Sequence, residues 1–171
     1  VLYCSVGEEW CRAMSEAFTR ETGINVLRLP VNYRHFEHDD QPFHYLEAGF
    51  TRLSRAIDWC ARHNIYAIID LHALPGWHNP DWHSDNAHVH ILLYTHRQFE
   101  DRAAALWQEL ARRYRGNPAL AGYGLMNEPC TRLEFERYDP SDYDWESLNR
   151  VHRRFAAAIR REDPNHILFV E

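Results

Sequence analysis

Helical and strand-like patterns alternate along this chain, with a helix followed by a strand four times. Apolar residues recur at the spacing of a helix face in four stretches, which are Trp10 to Phe18, Phe50 to Cys60, Phe99 to Tyr114 and Leu148 to Ile159. Each stretch precedes a short apolar run, and these runs are Ile24 to Val31, Ile65 to His72, Leu120 to Met126 and His166 to Glu171. The second run is apolar at odd and even positions alike, as in strands that are buried on both faces of a parallel sheet. The order predicts an α/β protein with a parallel sheet.

The connections between these elements differ in length according to their direction. Helix-to-strand links are short and contain turn residues such as Gly23 and Asn64, whereas strand-to-helix links are long and aromatic, above all Ala73 to Arg97. In a (β/α)8 barrel the strand-to-helix loops build the active site at the carboxyl ends of the strands. A doubly wound sheet also binds ligands there, but the glycine-rich phosphate loop typical of it is absent from the sequence. We therefore predict a (β/α)8 barrel.

The predicted barrel is incomplete in this sequence. A complete one has eight strands and about 250 residues, whereas four strands are predicted within 171 residues. The last predicted strand also has no following helix, and an open strand edge of this kind is one that proteins usually cover. We expect residues 1–171 to be one partial catalytic domain, about half of a barrel, that is truncated at both ends.

Composition excludes several other classes of protein. Hydrophobic residues make up 45% and charged residues 26% of the chain, which is ordinary for a globular protein. The net charge of -6 argues against a nucleic-acid partner, and no apolar stretch reaches the roughly 20 residues of a membrane span. The four cysteines form no C-x-x-C pair, so neither a disulfide framework nor a zinc site is predicted. No cofactor is predicted.

Polar residues lie near the carboxyl ends of three successive predicted strands. They are Arg28 in the first, Asp70 with His72 in the second, and Asn127 with Glu128 after the third. Any one of them alone is compatible with a structural role, such as a buried ion pair or a hydrogen-bonded core histidine. Their repetition on three strands indicates an active site at this edge of the sheet.

Glu128 is the strongest catalytic candidate among these residues. Pro129 disfavours a helical backbone at the residue before it, so we expect Glu128 to be extended. A carboxyl held at a strand end in a pocket of low polarity is suited to act as a general acid. The neighbouring Asn127 can hydrogen-bond a sugar hydroxyl, a contact that strengthens in the transition state of glycoside hydrolysis.

Three segments together resemble glycoside hydrolase family 5, the cellulase-type family of retaining (β/α)8 glycosidases. They are "VLRLPVNYR" with Arg28, "IIDLHALPG" with His72, and Asn127-Glu128-Pro129. The resemblance covers nearly the whole chain, from strand two to strand five of the barrel. It implies that Glu128 is the acid/base, that Asn127 contacts substrate, that Arg28 supports the nucleophile and that His72 lines the subsite of the cleaved sugar. It also implies hydrolysis of β-linked oligosaccharides, polysaccharides or glycosides, with an endo-β-glucanase as the default.

The second carboxylate of a retaining glycosidase lies about 5 Å from the first. In the family that the chain resembles, it is a glutamate on strand seven, which lies outside the four strands predicted here. Glu171 closes the last predicted strand, but we do not assign it as the nucleophile because the family places that residue two strands later. We therefore expect this chain alone to have no glycosidase activity.

The loop "LPGWHNPDWHSDNAHVH" combines two tryptophans with a cluster of histidines. We predict a substrate-binding loop in which Trp77 and Trp82 are sugar platforms. The four histidines His78, His83, His88 and His90, with Asp81 and Asp85, leave a metal site as the less favoured alternative. A metal-dependent hydrolase is disfavoured further because position 74 is a leucine rather than a second histidine. A non-catalytic carbohydrate-binding protein is the remaining alternative.

Overall fold

The computed structural model describes residues 21–132 and 143–171. In chain order the elements are β1 (Val26–Asn32), β2 (Glu37–His38), β3 (Gln41–Tyr45), α1 (Glu47–Arg62), β4 (Tyr66–Ala73), α2 (Arg97–Tyr114), β5 (Leu120–Gly124), α3 (Trp145–Arg160) and β6 (Ile167–Phe169). Single 3₁₀ turns span Tyr33–His35 and Trp82–Ser84. The helix predicted around Trp10 to Phe18 lies outside the described residues.

The main sheet of the described chain has four strands in the order β1-β4-β5-β6. Every neighbouring pair in it is parallel, and each strand lies beside the next long strand in the chain. This arrangement confirms the predicted parallel α/β sheet, in which successive strands advance in one direction as they do around a barrel. In the described residues no helix is both long enough and apolar enough to cross a membrane.

The three described helices bury one apolar face each, as their periodicity predicted. On α1 this face includes Phe50, Leu53 and Ile57, and on α3 it includes Val151 and Phe155, all of them buried. They belong to one core cluster that also contains Ile69 and Leu71 of the sheet. Burial of these side chains, each worth roughly 1.5–3 kcal/mol, fixes the register of the helices on the sheet.

Tight helix-to-strand turns bring each helix back to the sheet. Gly23, Asn64 and Gly116 all adopt a positive φ, of 67°, 56° and 71° respectively. Glycine and asparagine are the residues that tolerate this left-handed backbone best. The turn residues identified in the sequence therefore do mark these turns.

Strand β5 approaches its two neighbours differently at its two glycines. A Cβ atom placed on Gly122 would lie 2.1 Å from the carbonyl oxygen of Ile167 in β6. At Gly124 the nearest atom to such a Cβ would be Oδ1 of Asp70, at an ordinary distance of 3.4 Å. Only the first of these glycines is required by the close packing of the backbone.

A small antiparallel hairpin, β2 with β3, interrupts the connection between β1 and α1 and was not predicted from the sequence. Glu37 in this hairpin is fully buried, and its Oε1 accepts a hydrogen bond from Nε of Arg102 on α2 at 2.9 Å. The hairpin is held by this buried charge pair rather than by alternating apolar residues. Its sequence, "EHDDQPFHY", therefore carries no strand periodicity.

Candidate active site

Because the four strands of the main sheet are parallel, their carboxyl ends lie at the same edge. Asp70 and His72 lie in the last four residues of β4, and Asn127 and Glu128 follow β5 in a short bend. Glu171 follows β6. The structure therefore places the strand-end residues identified in the sequence along one rim.

Asp70 is the centre of a hydrogen-bonded cluster at this rim. The carboxylate is fully buried; Oδ1 accepts from Nη2 of Arg28 at 3.0 Å, and Oδ2 lies 2.8 Å from Nδ1 of His72. Because a carboxylate can only accept, Nδ1 of His72 carries the proton and Nε2 is left to face away from Asp70. The cluster fixes both the position of the guanidinium and the orientation of the imidazole.

Arg28 occupies a different place from the one predicted. It is the third of seven residues of β1, in the middle of the strand rather than at its carboxyl end. It still reaches the rim because its long side chain extends to Asp70 and to Glu171, whose Oε1 accepts from Nη2 at 2.7 Å. The prediction of a position near the strand end was wrong because four residues of β1, Leu29 to Asn32, follow Arg28 before the strand ends.

The backbone around Glu128 also departs from the prediction. β5 ends at Gly124 rather than Met126, and Glu128 has a φ of 46°, so it is not extended. The reason is that both of its backbone polar groups are bound by side chains. Its N–H donates to Oε2 of Glu171 at 2.8 Å, and its carbonyl accepts from Nδ2 of Asn79 at 2.5 Å.

The side chain of Glu128 is 69% exposed in the described structure. The expected pocket of low polarity therefore does not enclose it within the described residues. Its near neighbour is His83, whose Nε2 lies 3.3 Å from Oε2 of Glu128. The carboxyl thus has one basic neighbour and is accessible to a ligand.

Two side chains of the long loop after β4, His78 and Asn79, contact the backbone carbonyls of Asn127 and Glu128. Nε2 of His78 lies 2.6 Å from the carbonyl oxygen of Asn127, to which it donates. His78 is fully buried, and this burial lowers the pKa of its imidazole from 6.5 to about 3. The ring is therefore neutral and acts as a fixed hydrogen-bond donor.

His83 joins this loop to both residues that follow β5. Its Nδ1 lies 3.3 Å from the amide nitrogen of Asn127, and its Nε2 faces Glu128. Its ring also lies edge-on to that of His72, with the centroids 5.7 Å apart. The sequence signalled that the loop was rich in histidine, but it did not indicate which histidine meets the strand ends.

The two candidate sugar platforms differ in exposure. Trp82 is 77% exposed and lies in the 3₁₀ turn next to His83. Trp77 is partly buried, and its indole nitrogen donates to the carbonyl of Asp85 at 2.9 Å. Both lie on the loop that carries His83, but Trp82 presents much the larger free surface. Their contact with substrate stays a prediction.

The histidines of the loop do not converge into a metal site within the described residues. No group of three or more His, Cys, Asp or Glu side chains with suitable geometry occurs in residues 21–132 and 143–171. His78 is buried against Asn127, while the rings of His88 and His90 stack on each other with centroids 6.4 Å apart. Of the cysteines, Cys60 and Cys130 are free, and Cys4 and Cys11 lie outside the described residues.

The sequence matches a known family over almost its whole length. The model of the Cellulase family (glycosyl hydrolase family 5) matches residues 6–171. A β-xylosidase of Phanerodontia chrysosporium is 46% identical over 156 residues, which cover 91% of this chain and 30% of that protein. Endoglucanase C of Acetivibrio thermocellus is 26% identical over 150 residues, which cover 88% of this chain and 39% of that protein. The chain thus spans about a third of the length of these relatives.

Solved structures show the same fold. A glycoside hydrolase crystal structure superposes with a TM-score of 0.74 at 24% identity, covering 92% of this chain and 45% of the other. Endo-glycoceramidase II from Rhodococcus sp. superposes with a TM-score of 0.74 at 18% identity, covering 93% of this chain and 43% of the other. These similarities confirm the predicted fold class, with the chain forming part of a (β/α)8 barrel.

Proposed function

Because this chain belongs to glycosyl hydrolase family 5, we propose that it carries the acid/base half of the active site of a retaining β-glycosidase. Glu128 is the proton donor in this proposal. The observation that supports it best is the placement of the Glu128 carboxyl, 69% exposed at the carboxyl edge of the sheet and beside the amide of Asn127. A carboxyl that must reach a bridging oxygen requires this accessibility.

The proposed reaction has two steps, each with a defined role for Glu128. In the first step Glu128 gives its proton to the bridging oxygen while the bond from that oxygen to the anomeric carbon breaks. A second carboxylate bonds to the same carbon, as retaining enzymes require. In the second step Glu128 takes a proton from water, whose oxygen then displaces the enzyme carboxylate. Glu128 thus acts as the acid in the first step and as the base in the second.

The other rim residues have supporting roles in this proposal. Asn127 would bind a sugar hydroxyl near the cleaved bond, in keeping with its position directly before Glu128. Nε2 of His72 is left for substrate because Nδ1 is bound to Asp70. Arg28, bound to Asp70 and to Glu171, would provide positive charge next to the second carboxylate. Trp77 and Trp82 would stack on neighbouring sugar rings.

The substrate is proposed as a β-linked glycan or glycoside, with the endo-β-glucanase reaction as the default. One relative named as an endoglucanase supports the glucan, at 26% identity, and one named as a β-xylosidase supports a xyloside, at 46% identity. A panel of aryl β-glucoside, aryl β-xyloside, β-1,3-glucan and soluble cellulose, tested on the full-length protein, distinguishes these substrates. The substrate with the highest kcat/KM identifies the specificity.

The replacement Glu128→Gln in the full-length protein tests the catalytic role. Gln keeps the shape of the side chain but has no proton to donate, so kcat/KM on an unactivated glycoside is expected to fall by about 10²- to 10⁴-fold. Azide, a small nucleophile that needs no general base, is expected to restore the second step on an activated aryl glycoside. Rates near those of the wild type would refute the role of Glu128, whereas a full-length protein that binds glycans without hydrolysing them would favour a carbohydrate-binding protein.

A further inference from the structure

The geometry points to His83 as a positioning residue for the carboxyl of Glu128, an inference that rests on the proposed function. We propose that His83 holds Oε2 of Glu128 and thereby leaves Oε1 as the oxygen that exchanges the proton with substrate. Without this contact the two carboxyl oxygens of Glu128 would be equivalent, because the terminal torsion of a glutamate is broad and this side chain is largely exposed.

The contact between His83 and Asn127 determines which ring nitrogen of His83 carries the proton. The amide nitrogen of Asn127 can only donate, and it lies 3.3 Å from Nδ1 of His83. Nδ1 must therefore be the acceptor. In the neutral imidazole the single proton is then on Nε2, the nitrogen that faces Glu128.

The contact between His83 and Glu128 then has a defined direction. Nε2 lies 3.3 Å from Oε2, within ion-pair distance, so the proton on Nε2 is next to that carboxyl oxygen. With Oε2 occupied, the acid proton of Glu128 resides on Oε1. His83 keeps its own proton through both steps, and the proton that leaves Oε1 for the bridging oxygen is replaced on Oε1 by one from water.

Hydrogen bonds within the loop fix the backbone around His83. His83 is only 15% exposed and lies in the 3₁₀ turn Trp82–Ser84. Oδ1 of Asp81 caps this turn by accepting from the N–H of Trp82 at 2.7 Å. The buried hydroxyl of Ser84 donates to the carbonyl of Asn79 at 2.7 Å, in the segment that also binds the carbonyl of Glu128. One short stretch of loop therefore holds both the backbone and the carboxyl of the acid residue.

A purely structural role for His83 predicts a different kinetic result from a positioning role. Proton donation matters most when the leaving group is a poor one, because a good leaving group departs without it. Misplacing the acid should thus slow cleavage of a phenyl glycoside far more than that of a 2,4-dinitrophenyl glycoside. A general loosening of the site should slow both alike.

The experiment measures kcat/KM of the full-length protein on these two glycosides for His83→Asn and His83→Gln. Asparagine is too short to reach Glu128, and we expect a loss of about 10- to 100-fold on the phenyl glycoside and less than about 3-fold on the dinitrophenyl glycoside. Glutamine places an N–H near the position of Nε2 and is expected to retain most of the activity. His90→Ala, an exposed histidine in the same loop, is the matched control and should leave both rates unchanged.

Equal losses on both glycosides, a change in KM alone, or no change in His83→Asn would overturn the role of His83. The rescue by His83→Gln keeps the test informative if the asparagine variant folds poorly, because a folded glutamine variant with the full loss would also refute it. These results leave the proposed function intact. The proposed function fails instead if Glu128→Gln has the rates of the wild type.

Discussion

Arg28 and Asp70 form an ion pair across neighbouring strands, with Nη2 3.0 Å from Oδ1. Asp70 is fully buried, while the side chain of Arg28 is 40% exposed. Since His72 binds the other oxygen of the same carboxylate, the two basic residues at the candidate site depend on one buried acid. The ion pair therefore positions residues of the candidate site and also joins two strands of the sheet.

The replacement Asp70→Asn tests this dependence. An asparagine at this buried position can accept from one partner only and presents an NH₂ group to the other, so one of the two donors loses its acceptor. The free energy of unfolding is expected to fall by about 1–3 kcal/mol, measured by urea denaturation. Glu47→Gln removes a surface ion pair with Arg113 and is expected to leave the unfolding midpoint nearly unchanged. Equal midpoints for Asp70→Asn and the wild type would contradict the prediction.

Burial of His78 predicts that stability declines as the pH falls. The pKa of the buried imidazole is about 3, whereas the unfolded chain binds its proton at the ordinary value near 6.5. The unfolded state thus binds more protons in this window. Stability is fully present above pH 6.5 and is lost as the pH falls towards 3, at up to about 1.4 kcal/mol per pH unit from this residue.

The variant His78→Gln isolates that contribution, because glutamine can still donate to the carbonyl of Asn127 but does not titrate. Urea midpoints at several pH values between 7 and 4 should decline less steeply in the variant than in the wild type. His152, whose burial also lowers its pKa, contributes equally to both proteins and cancels in the comparison. Parallel declines would show that His78 is accessible to protons in the folded state.

The two glycines of β5 provide a matched pair of packing predictions. In Gly122→Ala the new methyl group would overlap the carbonyl oxygen of Ile167, so β5 and β6 must separate, and we expect a loss of roughly 1–3 kcal/mol in unfolding free energy. In Gly124→Ala the methyl group meets Asp70 at an ordinary contact distance, and the loss should be smaller. Thermal denaturation of the two variants side by side measures the difference. The reverse ranking would contradict the close contact of β5 and β6.

The 171-residue chain, purified alone, is expected to hydrolyse no aryl glycoside. Family resemblance places the second carboxylate on a later strand, and Glu171, which binds Arg28 and the N–H of Glu128, is not assigned to that role. The measurement is the release of nitrophenol over hours at high protein concentration. Turnover that disappears in Glu171→Gln would instead identify Glu171 as the second carboxylate.

The parallel sheet and the rim residues were predictable because they depend on short-range patterns. Apolar runs and turn residues such as Asn64 locate the strands, and parallel strands must bring their carboxyl ends together. The sequence alone therefore predicts that Asp70, His72 and Glu128 lie at one edge of the sheet. The same patterns located the three described helices to within a few residues of their ends.

The details that long-range contacts determine were not predictable. The influence of Pro129 on its neighbour favoured an extended Glu128, yet side chains from two distant segments, Asn79 and Glu171, bind its backbone in another conformation. His83 lies in a loop without periodicity, where the sequence gives no measure of which side chain faces inward. The β2–β3 hairpin was not predicted for a related reason, since a buried charge pair between Glu37 and the distant Arg102 holds it.

The contacts of Asn127 and Glu128 with His78, Asn79 and His83 restrict how the loop between β4 and α2 can be exchanged. Replacing the entire connection between β4 and α2 with that of another family member would remove the three side chains that contact the proposed acid, together with the proposed sugar platforms. Replacements that begin after residue 86 would leave these three side chains in place. If the proposed function holds, substrate choice can therefore be altered in the second half of this loop without disturbing the residues that position the acid in its first half.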